Sequence, residues 1–352
     1  MNMSGIRALK YAIILIIPCL ALWSFRQTGW LAFTCFVFVY ALIPTMEFFV
    51  KADASNMEKA EEELVGSDPL YDWLLYLMVP VIYFVLWDYL TIVSAATVFS
   101  WDLMGKMLAM GILCGALGIN VGHELGHRTK KSEQFLAKML LLSSMYMHFY
   151  IEHNRGHHKK VSTPDDPASG RYGELVYTFW IRSAIMSYIS AWSIENSRVL
   201  KKYGSIFTWH NEMIIFQMVQ LGLLLGVYLM FGGFAVLMFL GAALIGIAQL
   251  ETVNYIEHYG LSRKRREDGT YERVQPWHSW NSNHMIGRLL LFELSRHSDH
   301  HFIATRKYPI LRHHDGSPQM PTGYPGMMLM SLFPPLWFRV MHKAIHKVES
   351  AH

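Results

Sequence analysis

Charge is scarce in this sequence: only 16% of its 352 residues are Asp, Glu, Lys or Arg, against about 25% in a soluble domain. Cysteine is scarcer still. Cys19, Cys35 and Cys114 all lie inside apolar runs, and none belongs to a CxxC pair. That excludes a disulfide framework and a cysteine-ligated iron–sulfur or rubredoxin-type cluster, so any electrons the chain uses must come from another protein. No polar Pro/Gly/Ser-rich linker divides the chain, no repeat of 20–50 residues appears, and no low-complexity tract is present. The first apolar run is followed by Arg26-Gln27-Thr28-Gly29, not by a small-x-small cleavage pattern, which argues against a removed signal peptide.

What remains is apolar. Hydrophobic residues make up 52% of the chain and the mean hydropathy is +0.20, the balance of a membrane protein. One all-α, membrane-embedded domain over residues 1–352 is the expectation. Six transmembrane helices are read at 9–25, 30–50, 70–91, 104–121, 213–231 and 234–255, the first of them short for a hydrocarbon core about 30 Å thick. Gly232-Gly233 marks the turn of a hairpin between the last two spans. Residues 135–149 are apolar but too few to cross, and they read as an interfacial or re-entrant helix. Residues 51–68 carry Glu58, Glu61, Glu62 and Glu63 on a short surface helix, and residues 329–346 suit a last one. The net charge is +4, yet 25 of the 31 Lys and Arg follow residue 127 and none lies between Met213 and Tyr255. Basic segments that flank hydrophobic spans fit the positive-inside rule better than nucleic-acid binding. The predicted topology places both termini and the segments 122–212 and 256–352 in the cytoplasm, in a bacterial inner membrane.

Histidine is concentrated. Half of the 18 histidines fall in four short motifs: HELGHR from His123, EHNRGHH from Glu152, NYIEHYG from Asn254 and RHSDHH from Arg296. His123 and His127 are spaced i, i+4, which sets both rings on one helical face. His153 and His157 repeat that spacing with His158 beside them, and His297, His300 and His301 run i, i+3, i+4. His258 stands alone. One such pair is more often a hydrogen-bonded core feature than a metal site. Four clustered motifs are not. Imidazole suits Fe, Zn, Cu and Ni, one ion takes about six ligands, and nine imidazoles therefore imply two ions. If residues 135–149 crossed the membrane, the first two motifs would lie on opposite sides and could not share a centre. A metal transporter would carry its ligands at mid-membrane, whereas these lie at span ends, and a bis-histidine haem protein needs only two.

Carboxylates are expected to accept the free ring N–H groups and orient the rings. Glu124, Glu152, Asp165, Asp166, Glu257 and Asp299 are candidates, with Asp166, Glu257 and Asp299 preferred. A slot between spans would admit an apolar substrate, with Phe36, Phe38, Tyr40, Leu108, Leu117 and Leu250 as candidate walls. Lys159, Lys160 and the basic run Arg263–Arg266 offer a surface for an acidic electron carrier.

The strings HELGHR, EHNRGHHKKVSTPDDPAS, NYIEHYGL, PWHSWNSNH, RHSDHH and PTGYPGM resemble the bacterial membrane alkane 1-monooxygenases, a branch of the membrane fatty-acid desaturase and hydroxylase superfamily. The likeness runs from about Asn120 to Met328. The HxxxHH spacing at His153–His158 and the extra NYIEHYGL favour that branch. The resemblance implies six spans and a non-haem di-iron centre on the nine histidines. It implies hydroxylation of the terminal methyl of medium-chain alkanes with O2, and electrons from rubredoxin and its NADH-dependent reductase. The xylene monooxygenases share similar motifs, and fatty-acyl desaturases share the broader skeleton, so those two activities are the alternatives.

Overall fold

The computed structural model describes residues 7–350. The extreme termini, expected on the cytoplasmic side, lie outside them. All regular structure longer than an isolated bridge is helical among the described residues. Among the described residues, four helices are long and apolar enough to cross a membrane: α2 (Gly29–Phe49), α4 (Pro69–Ser94), α5 (Trp101–Gly126) and α9 (Glu212–His258), counting in chain order from the shorter apolar α1 (Leu9–Phe25). Between them lie α3 (Lys59–Ser67), α6 (Lys131–Leu142), α7 (149–160) and α8 (Val176–Tyr203). The chain ends in α10 (Met285–Leu290), α11 (His297–Phe302), α12 (Tyr324–Ser331) and α13 (Pro334–Glu349). The last surface helix expected at 329–346 is therefore two helices. Pro334 and Pro335 supply no N–H to the preceding turn, and the chain breaks there.

The 47-residue α9 is not straight. Gly232 sits at φ 82°, ψ 171°, a conformation only glycine reaches without strain. The hydrogen bonds show what this does. Gln220 Oε1 accepts from Met147 N at 3.1 Å, while Glu251 Oε1 accepts from the Tyr146 hydroxyl at 2.8 Å. Residues 31 apart on an unbroken helix would be about 46 Å apart, yet these two touch neighbouring residues. The arms on either side of Gly232 therefore run antiparallel, and the second returns to end at His258.

The segment expected to be re-entrant goes in and comes back. Along α6, Ala137 and Leu141 pack on Gly122, and then Ser143 and Ser144 reach Gly118 further down α5. Ser144 Oγ donates to the Cys114 carbonyl at 3.0 Å. Met145 turns the chain at φ 54°, and Tyr150 lies back beside Gly126.

The core joins α1, α2, α4, α5 and α9. Its tightest crossing is between α5 and α9, where a Cβ on Gly246 would stand 2.5 Å from Cys114 Cβ and 3.0 Å from the Gly115 nitrogen. Backbone cannot yield there. Gly246→Val is expected to destabilise the fold by about 1–3 kcal/mol, as overpacking does. A lowered midpoint of thermal unfolding in detergent would confirm it; an unchanged midpoint would refute the close crossing.

Candidate metal centre

The returning arm of α9, the end of α5, the rising segment α7 and the short α11 converge at one end of the bundle, and each carries histidines. Their ring nitrogens form two groups, within each of which the donor atoms lie within 4.8 Å of one another. One group is His123, His127, His153, His158 and His300; the other is His157, His258, His297 and His301. In the first, Nε2 atoms meet in a chain: His123 to His300 at 2.9 Å, His300 to His158 at 3.2 Å, His158 to His153 at 3.0 Å and His153 to His127 at 3.1 Å. Hydrogen bonds cannot explain this. A neutral imidazole nitrogen has one in-plane site, either a proton or a lone pair, yet His300, His158 and His153 each meet two neighbours through the same Nε2. Lone pairs aimed at a common point do explain it, since ligands about 2.1 Å from an ion stand about 3 Å apart along an octahedral edge. In the second group, Nε2 of His258 and His297 are 3.1 Å apart. His157 Nε2 and both nitrogens of His301 are buried with no hydrogen-bond partner, although buried polar atoms are rarely left so. Both donor sets fit a metal ion.

The grouping corrects the spacing argument. His123 and His127 share a group as i, i+4 predicts, and so do His297 and His301. His153 and His157 do not. Residues 153–157 form a wide π turn, whose extra residue per turn brings i and i+5 to one face. His153 therefore joins His158, and His157 points into the other group.

Electrostatics favour neutral rings in most positions. Burial, reinforced by the neighbouring imidazoles, holds His153, His158, His297 and His301 well below the usual histidine range, and burial takes His300 down to about 3. Neutral imidazole is the form that ligates. His157 differs. Burial is the largest influence and opposes its charge, but the charge and hydrogen bond of Asp166, with Glu152 and Glu251, together raise its pKa.

The carboxylates divide sharply. Asp166 Oδ2 accepts from His157 Nδ1 at 2.9 Å and from Ser169 Oγ at 2.6 Å, leaving Nε2 to face the centre, as in a carboxylate–histidine–metal arrangement. Glu257 does not take up a free Nδ1–H; its Oε2 lies 3.2 Å from Nε2 of His297, on the side facing His258, and its Oε1 accepts from the Tyr324 hydroxyl at 2.7 Å. Asp299 is spent elsewhere. Arg306 reaches both its oxygens at 2.7 Å, His314 Nε2 approaches Oδ1 at 2.7 Å and Arg312 N donates to Oδ2 at 2.9 Å. It orders the loop after α11 and is not the acceptor expected for a ligating ring. Glu124 accepts from Arg128 and Tyr308 N, and Asp165 is exposed. Glu152 is buried with Ser190 Oγ at 3.4 Å. Sequence reading does not single out Tyr324, which lies in the string PTGYPG. It also missed Glu251, although a lone acid inside an apolar span is itself a signal.

An apolar cavity of about 900 Å³, its mouth included, ends on His123, His153 and His297, so it touches both groups. A second space of about 690 Å³ shares Tyr40, Ile112, Gln249 and Met328 with it and opens between α2, α5, α9 and α12. Of the expected walls, Tyr40 and Leu250 line the inner cavity, and Phe36, Tyr40 and Leu108 the outer one. Phe38 and Leu117 line neither and pack into the main core. On α5 the lining residues Leu108, Ile112, Ala116 and Asn120 recur every four residues, and Leu117 falls about 100° off that stripe. Phe38, two residues from both Phe36 and Tyr40, faces away for the same reason.

Comparison with known proteins matches this geometry to a family. The fatty acid desaturase family matches residues 99–328, the stretch that holds every histidine of both groups. The alkane 1-monooxygenase 1 of Pseudomonas aeruginosa is 41% identical over 319 residues, covering 88% of this chain and 82% of that protein. Alkane 1-monooxygenase 2 of the same organism is 42% identical over 305 residues, covering 86% and 81%. The xylene/toluene monooxygenase hydroxylase component of Pseudomonas putida is 30% identical over 241 residues, covering 68% and 63%. With buried histidines gathered into two metal-type groups at the foot of an apolar slot, and with this likeness along nearly the whole chain, the protein belongs to the alkane 1-monooxygenases of the fatty acid desaturase family.

Proposed function

We propose that this chain hydroxylates the terminal methyl group of medium-chain n-alkanes to 1-alkanols, using O2 and electrons delivered by a separate rubredoxin and its NADH-dependent reductase. One observation carries the reading: an apolar cavity between helices ends on two histidine groups. His123, His127, His153, His158 and His300 hold one iron in this reading, and His157, His258, His297 and His301 the other. Two redox-active irons held there would supply what no side chain can, the oxidising power needed for O2 chemistry at an unactivated C–H bond.

The chain's own residues do the rest. The cavity walls hold an alkane by burial alone, since few polar groups line the slot. The opening among α2, α5, α9 and α12 suits entry from the bilayer, where alkanes dissolve. Asp166 fixes the tautomer of His157. Higher identity to the alkane enzymes than to the xylene enzyme favours alkanes over alkylbenzenes.

Six spans in one domain over residues 1–352 complete the proposal: α1, α2, α4, α5 and both arms of α9. Although α1 has few residues, its first seven form a 3-10 helix and the next ten an α-helix. With rises near 2.0 and 1.5 Å it reaches about 29 Å, enough for the hydrocarbon core. The histidine groups then lie on the cytoplasmic side of a bacterial inner membrane. His127 and His158 are the half-buried ligands, and the exposed Lys159 beside them suits docking of an acidic electron carrier. Arg263 is committed elsewhere, as its guanidinium donates to the carbonyls of Glu272 and Lys159.

Metal analysis of the purified protein, paired with turnover, tests this reading. Two irons per chain and 1-octanol from n-octane, O2 and reduced rubredoxin are expected. Stoichiometric zinc, or a double bond introduced into a lipid chain, would overturn it.

A further inference from the structure

The proposed reaction, R–CH3 + O2 + 2 e− + 2 H+ → R–CH2OH + H2O, consumes two protons in each cycle as well as two electrons. Apolar walls enclose the cavity where they are needed. A proton has no path through such walls unless polar groups breach them.

Polar groups do interrupt them, among them Asn120, Gln249, Asn254, Glu257 and Tyr324, and Asn254 leads outward. Asn254, 5% exposed, lines the cavity together with His123 and His153. Its Nδ2 lies 3.4 Å from Oε2 of Glu251, a carboxylate 2% exposed inside the returning arm of α9. The Tyr146 hydroxyl donates to Glu251 Oε1 at 2.8 Å. Neither of these two partners is a cation, and a buried acid inside a membrane segment is rare and marks function. The Tyr146 ring lies 4.3 Å from that of His148, which is buried and whose Nε2 has no hydrogen-bond partner. The His148 ring is 5.1 Å from that of Tyr188 on α8, and Tyr188 is 36% exposed. A proton crossing either ring-to-ring step needs a bridging water to carry it.

We propose that Tyr188, His148, Tyr146, Glu251 and Asn254 form the route by which protons reach the oxygen end of the cavity. Glu251 is its inner station. The proposal rests on the monooxygenase reading. None of the five is a histidine of either group, and the route enters from Tyr188 on α8. Burial pushes His148 down to about 4, so it is neutral at ordinary pH and can accept at one ring nitrogen while releasing at the other.

Glu251→Gln keeps the shape and removes the exchangeable acid. Tyr146→Phe removes only the hydroxyl. Both are assayed with n-octane, O2 and reduced rubredoxin beside the unaltered protein. Turnover is expected to fall about 100-fold in Glu251→Gln, the lower end of what positioned proton transfer contributes. The solvent deuterium isotope effect should rise, and less octanol should form per O2 consumed, with the difference recovered as peroxide. Tyr146→Phe should shift all three the same way, and iron content and the KM for octane should not move. Unchanged coupling and isotope effect in both variants would overturn the route. Loss of iron together with activity would assign Glu251 to packing and overturn it equally. If the unaltered protein binds no iron or makes no octanol, it is the monooxygenase reading that fails.

Discussion

His300→Ala will abolish alkane hydroxylation and leave the chain with about one iron in place of two, and His297→Ala will do the same from the other group. His300 Nε2 stands between His123 at 2.9 Å and His158 at 3.2 Å, so its removal breaks the chain of five nitrogens. His297 is one of only four nitrogens in its group. Loss of an outer partner of a ligand typically costs 10–100-fold, so loss of the ligand itself should cost more than about 100-fold in activity. Elemental analysis and octanol formation on the same preparation decide the matter. Retained activity in either variant would count against the ligand assignment. Loss of both ions from either variant would refute their division between two separate groups.

The second large effect belongs to Asp166. Its carboxylate takes the Nδ1 proton of His157 and the hydroxyl of Ser169, and is itself almost fully buried. Asp166→Ala leaves a buried ring N–H and a buried hydroxyl without their acceptor and frees His157 to rotate. The expected loss is about 10–100-fold in affinity for the ion of the four-histidine group, with the five-histidine group still loaded. Competition with a chelator, read as iron retained per chain, would show one ion released early and one late. Release at the unaltered rate would mean that Asp166 does not orient His157.

These effects follow residues that the sequence displays with unequal clarity. His123 and His127 are legible because α5 stays regular where they sit, and spacing then equals geometry. His153 and His157 are misleading for the converse reason: a single extra residue in the turn at 153–157 exchanges their partners, and nothing in EHNRGHH announces it. The hairpin is legible at Gly232-Gly233, since a glycine pair between two apolar runs has few other uses. Phe38 and Leu117 lie in the right helices but on the wrong side, because a span buried on several sides has no amphipathic pattern to say which face meets the cavity. Asp299 fails as a candidate through competition that sequence cannot weigh: Arg306, Arg312 and His314 follow it by only 7, 13 and 15 positions and claim its oxygens first. Glu251 was visible and undervalued.

The ligands come from pieces of chain that meet late. His123 and His300 touch although 177 positions separate them, and the last histidines follow the entire returning arm of α9. A nascent polypeptide emerging from the ribosome therefore owns at most a partial ligand set until its final third has been made and inserted. In the two-ion reading, capture of the cations would be the closing act of biogenesis, and each ion would work as a clasp across a very long loop. Iron starvation would thus leave behind correctly inserted but unclasped protein whose α11 segment is open to proteases.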